Sequence, residues 1–182
     1  MKHPIIISSI FLTAFVAMVP VVFSDDDRRE YRQRSAGVAA VTSATYKEEC
    51  SSCHMAYAPG LLPARSWKKI MAGLDKHFGD NAELDTETFK QISEFLDSNS
   101  ADNSQYRRSR KIMRSLNPND VPVRISETPY IIREHDEIPD KLIKHNKKVN
   151  SLSNCSACHN KAEQGLFSEH DVRIPGYGRW DD

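Results

Sequence analysis

The chain has 182 residues, with 25 Lys and Arg against 25 Asp and Glu, 39% hydrophobic residues, and only 7 Gly and 9 Pro. These figures exclude a collagen-like or low-complexity chain and bound the molecule to one or two small domains. The balanced charge leaves no surplus of Lys and Arg for non-specific attraction to nucleic acid or anionic lipid. The four cysteines are too few for a disulfide-dense scaffold, yet all of them fall into two C-x-x-C pairs, each followed at once by His.

Residues 1–24 read as an export signal. Lys2 and His3 form a short basic head, Ile5 to Phe23 is apolar apart from Ser8, Ser9, Thr13 and Pro20, and Asp25, Asp26 and Asp27 end the run. Val22 and Ser24 suit a cleavage site, which predicts a cut after Ser24. The alternative is an uncleaved membrane anchor, because the run nearly spans a bilayer. On either reading the remaining chain is expected outside the cytoplasm.

That remainder divides into residues 25–100 and 101–182, each holding one C-x-x-C-H, with the polar stretch Asp97 to Gln105 as the expected linker. Ser66 is expected to cap a helix whose Trp67, Ile70, Met71, Leu74 and Phe78 form one apolar stripe, with His77 on the same face. A second helix is expected to start at Asp85 and to bury Phe89, Ile92, Phe95 and Leu96. Tyr106 to Leu116 also suits a helix, crowded by Arg107, Arg108, Arg110, Lys111 and Arg114. Thr128 followed by Pro129 marks a further start, with Ile131, Ile132 and His135 after it. No alternating β pattern is evident, so the expected fold is mainly α.

The chemistry resides in Cys50-Ser51-Ser52-Cys53-His54 and Cys155-Ser156-Ala157-Cys158-His159. Two thiols three residues apart can add to the two vinyl groups of a haem, and the following His can then turn its imidazole to the iron. Three other uses compete. A zinc site would need pairs far closer in sequence and leaves the repeated His unexplained. A thioredoxin-like dithiol needs a βαβ context that is missing. Two local disulfides would close loops too short to be useful staples. Two covalently bound haem c groups are therefore expected, on Cys50, Cys53, Cys155 and Cys158, with His54 and His159 as axial ligands.

The sixth ligand decides between an electron carrier and an open, reactive iron. For the first haem His77 is the candidate on spacing, with a solvated His near a helix end as the equal alternative. Met71 suits core packing better, and Met55 directly follows the proximal His. For the second haem the choices are His135, His145 and His170. His145 sits among Lys141, Lys144, Lys147 and Lys148, and His170 lies in a polar, Gly-flanked tail within reach of the iron. His135 follows the apolar Tyr130-Ile131-Ile132 segment and is the best supported.

The stretch Glu49 to Asp85 resembles the first haem segment of the small exported dihaem cytochrome c family. Arg124 to Pro139, followed by Asn154 to Gly176, resembles the second half in the same order. The resemblance implies a c-type cytochrome of two small helical haem-binding domains packed together, periplasmic, with each haem held by two histidines. By that pattern His77 matches the distal ligand opposite His54, and His135 the one opposite His159. It further implies an electron carrier rather than an enzyme, taking electrons from a membrane b-type cytochrome and passing them to a small monohaem cytochrome c.

Two other classes stay in view. A peroxidase-like or gas-binding haem would need one distal His absent or weakly held, with His145 or Glu134 as acid-base groups. A zinc module would be colourless. The basic run Arg107 to Arg114 is expected to be a solvated helix face, to pair with haem propionates, or to dock an acidic redox partner.

Overall fold

The computed structural model describes residues 37–180; the expected export signal lies outside them. Among the described residues six helices carry the fold, the first five joined by single 3-10 turns: α1 (Ala44–Cys50), α2 (Ala64–Met71), α3 (Thr86–Ser98), α4 (Arg107–Ser115), α5 (Pro129–Arg133) and α6 (Asp140–Ile143). A two-stranded antiparallel hairpin near the C-terminus, β1 (Arg173–Ile174) and β2 (Gly178–Arg179), pairs Arg173 with Arg179 and Ile174 with Gly178. Two residues a side give no alternation to read. The fold is mainly helical, as its composition implies.

Each start has a local cause. Ser43 accepts the backbone N–H of Tyr46 and opens α1. Asp85 accepts those of Glu87 and Thr88 and opens α3, and Thr128 precedes Pro129 at the first position of α5; both starts match the sequence signals. Ser66 does not cap α2. That helix begins after Pro63, with the Ala64 N–H donating to the Asp102 carboxylate at 2.6 Å, which places Ser66 inside the first turn and fully buried.

The expected stripe past Met71 also ends early, and Gly73 turns the chain into a 3-10 turn over Leu74–Lys76. Phe78 therefore sits at φ 54°, half-exposed, instead of on a helix face. In α3 the buried residues are Ile92 and Leu96, whereas Phe89 is exposed and Phe95 only partly covered.

The principal core joins the two parts of the chain. Val38, Tyr46, Leu61, Leu62, Trp67, Ile92 and Leu96 pack with Ile112, Tyr130, Ile131 and Phe167 in one cluster. Asp97 to Gln105 is part of this packing rather than a tether: Ser100 and Ala101 are buried, and the Ala101 N–H donates to Leu62 C=O at 2.9 Å. Gly165 adds a second tie. Its carbonyl accepts the Val38 N–H at 2.9 Å, its φ is +74°, and a Cβ there would run into the Val38 carbonyl. A smaller cluster of Ile143, Val149, Val172 and Ile174 braces the C-terminal part. Among the described residues no helix is long and apolar enough to cross a membrane.

Candidate functional site

Cys50 is the last residue of α1, and Cys53 and His54 follow within the next turn. Cys155–Ala157 forms a 3-10 turn, so Cys158 and His159 emerge in the same manner. All four thiols are free, and all line one cavity of about 1200 Å³. That exceeds the roughly 300–1,000 Å³ usual for one small ligand. Burial pushes the Cys50 and Cys155 thiols up to about 11 and raises Cys158 as well, so the sulfurs are held as neutral thiols.

The chain brings four histidines together in two facing pairs. His54 and His77 have ring centres 6.2 Å apart, and His135 and His159 have ring centres 6.1 Å apart. A metal ion about 2 Å from one nitrogen of each ring would sit roughly 3 Å from each ring centre. Both gaps therefore match a single iron held by two imidazoles, and both lie in the cavity that the C-x-x-C thiols line.

Hydrogen bonding prepares the donors. The Nδ1–H of His54 donates to Met55 C=O at 2.8 Å, and that of His135 donates to Ile131 C=O at 2.8 Å. A carbonyl can only accept, so the proton belongs to Nδ1 and the lone pair to Nε2. His159 Nδ1 is buried without a protein partner. Burial first, then His135 and the Arg108 guanidinium, push the His159 imidazolium down to about 4. Burial and His54 lower His77 likewise, against the opposing pull of Asp80. Both rings are neutral at pH 7, the form that binds a metal.

The remaining candidates form no such facing pair, although Met55, Met71 and His170 also line the cavity. His145 is exposed and outside the cavity lining, and His170, also exposed, reaches the cavity wall without pairing with a proximal His. Met71 is buried in the core. Met55 supplies a carbonyl to His54. The thiols do not converge as a zinc site would require: among the described residues there is no group of three or more His, Cys, Asp or Glu able to hold a metal ion.

Tyr57 and Phe167 escape a reading of the sequence, and Arg108, named there only within the basic run, takes a place that the run does not announce. Tyr57 stacks on His54, Phe167 meets His159 edge-on at 5.4 Å, and Arg108 turns inward from the basic helix. Arg108 donates to Tyr130 Oη and Phe167 C=O, both at 2.8 Å. Only the C-x-x-C-H spacing beside Tyr57 hints at any of them. Arg107, Arg110 and Arg114 stay exposed on the outer face of α4.

A dihaem cytochrome c family profile matches residues 46–167. A diheme cytochrome type c from Shewanella baltica OS155 is 46% identical with a TM-score of 0.63, over 76% of this chain and 97% of that one. A diheme cytochrome c from Rhodobacter sphaeroides is 46% identical with a TM-score of 0.64, over 71% of this chain and 100% of that one. No curated protein matches.

Proposed function

We propose, from the premise that this chain belongs to the dihaem cytochrome c family, that it is an electron carrier and not an enzyme, working in the periplasm. Membership implies two covalently attached haem c groups. Cys50 and Cys53 would hold one and Cys155 and Cys158 the other, with His54 and His77 as one axial pair and His159 and His135 as the second. The observation that carries the reading is the spacing of those two pairs, 6.2 and 6.1 Å between ring centres. When bound, each haem supplies a one-electron couple.

The residues of the chain do the rest. With an imidazole from each member of a pair holding the iron, substrate would find no open coordination site, and the ligand set would be the same before and after electron transfer. His ligation without a thioether favours a lower potential than a His/Met pair gives. The donor is proposed to be a membrane b-type cytochrome and the acceptor a small monohaem cytochrome c. The exposed cations Arg107, Arg110 and Arg114 offer an acidic acceptor a docking face.

The test is the absorption spectrum of the reduced holoprotein before and after carbon monoxide. Two c-type haems that ignore carbon monoxide are expected. A response from half of the haem would move the function to a gas-binding or peroxidase-like protein.

A further inference from the structure

The two histidine pairs sit in unlike surroundings. Reduction lowers the positive charge at an iron by one, so any feature that disfavours the more positive form raises the potential of that site.

The proximal rings differ first. His54 donates its Nδ1–H to a carbonyl, which enriches the ring as a ligand for oxidised iron. His159 Nδ1 is buried and has no protein acceptor, but its partner His135 donates to Ile131 C=O at 2.8 Å, so each pair carries such a bond and the contrast between the sites rests on charge.

The fixed charges differ next. The Arg108 side chain is only 16% exposed, and its guanidinium lies 5.7 Å from the centre of the Phe167 ring that packs edge-on against His159. Its counter-ion Glu134, 3.7 Å away, is more exposed at 27%. Asp136, Glu137 and Glu169, which also belong to this part of the cavity wall, are exposed and screened by water. At the first site the wall carries Glu49, Asp80 and Glu83, which are likewise exposed and screened, and the Asp80 N–H bonds to His77 C=O at 3.1 Å, so the difference lies in the cations. Arg124 lies over Phe78 beside His77, but it is 44% exposed and paired with Glu127.

From these contrasts we infer that the His135/His159 site has the higher reduction potential, with Arg108 as the positioning residue that keeps it there. The inference rests on the bis-His reading above. In half-reduced protein one electron then passes from the His54/His77 site to the His135/His159 site. The first is oxidised and the second reduced, with no bond made or broken and no proton moved.

The imidazole planes make the two sites distinguishable. They are inclined at 32° in the first pair and 79° in the second, and near-perpendicular planes give a low-spin EPR signal with the larger principal g value. Stepwise reduction of the holoprotein should remove the large-g signal first. Arg108→Gln should lower the potential of that signal alone. Glu134→Gln, which keeps the Arg108 cation and removes its counter-charge, should raise it. Loss of the other signal first, or an unmoved large-g potential in both variants, would overturn the ordering. A holoprotein without two low-spin signals would instead overturn the bis-His reading, and the ordering with it.

Discussion

Tyr57 lies stacked on His54, ring centres 4.8 Å apart and planes at 28°, while its hydroxyl donates at 2.7 Å to the carbonyl of Ser153, two residues before Cys155. Tyr46, one turn ahead of Cys50, donates in turn to the Tyr57 carbonyl at 2.8 Å. One side chain thus orients the His54 imidazole and ties it to the other C-x-x-C-H segment. Burial pushes the Tyr57 phenol up to about 12, so it remains a donor throughout the neutral range. Tyr57→Phe keeps the stack and loses the tie, at a cost of about 1 kcal/mol, which thermal melting of the holoprotein would read as a few degrees. A melting temperature equal to that of the parent would show that the tie contributes nothing.

His77→Ala should open the first haem alone. Carbon monoxide should then perturb half of the reduced absorbance, and His135→Ala should do the same for the other half. If either variant stays fully six-coordinate and unreactive, that distal assignment is wrong.

The basic helix splits into two functions by its phase. Arg108 is committed to Tyr130, Phe167 and Glu134, whereas Arg107, Arg110 and Arg114 face solvent. Neutralising those three exposed residues together should slow electron transfer to an acidic acceptor and flatten its dependence on ionic strength. Stopped-flow rates across a salt series would test this. A slope identical to that of the parent would remove α4 from the docking face.

Asp85 links stability to pH. Hydrogen bonds from Thr88 and Glu87 hold its carboxyl below the usual carboxylate value. Because the folded state favours the ionised form, this stability is present above the unfolded pKa and is lost as pH falls through the folded one. Asp85→Ala should melt lower than the parent at pH 7, and the gap should close on acidification below about pH 4. A gap of constant size across that window would contradict the linkage.

Gly165→Ala should be among the most destabilising single changes, about 2 kcal/mol or more, because a Cβ at φ +74° would strike the Val38 carbonyl. Chemical denaturation would measure it.

Much of this was legible without coordinates because it is local. Two thiols and an imidazole within five residues can address one haem whatever surrounds them, and Asp85 and Thr128-Pro129 announce helices through bonds made within one turn. Local reading failed where packing overrode propensity. Ser66 is a good cap by type, but Asp102, distant in sequence, satisfies the first N–H of α2 and moves the start to Ala64. The histidines that face His54 and His159 mark the same boundary. His77 and His135 lie beyond the ends of short helices, in turns whose direction depends on what they pack against. Among three histidines in the C-terminal part, sequence ranked His135 first by its apolar neighbours, and only the tertiary structure set its ring 6.1 Å from His159 while leaving His145 outside the cavity. The amino-acid sequence determined which atoms can bind a haem, because that chemistry spans a single turn. The tertiary structure decided which imidazoles face each other and which arginine turns inward, because those distances are set by a core drawn from both parts of the chain.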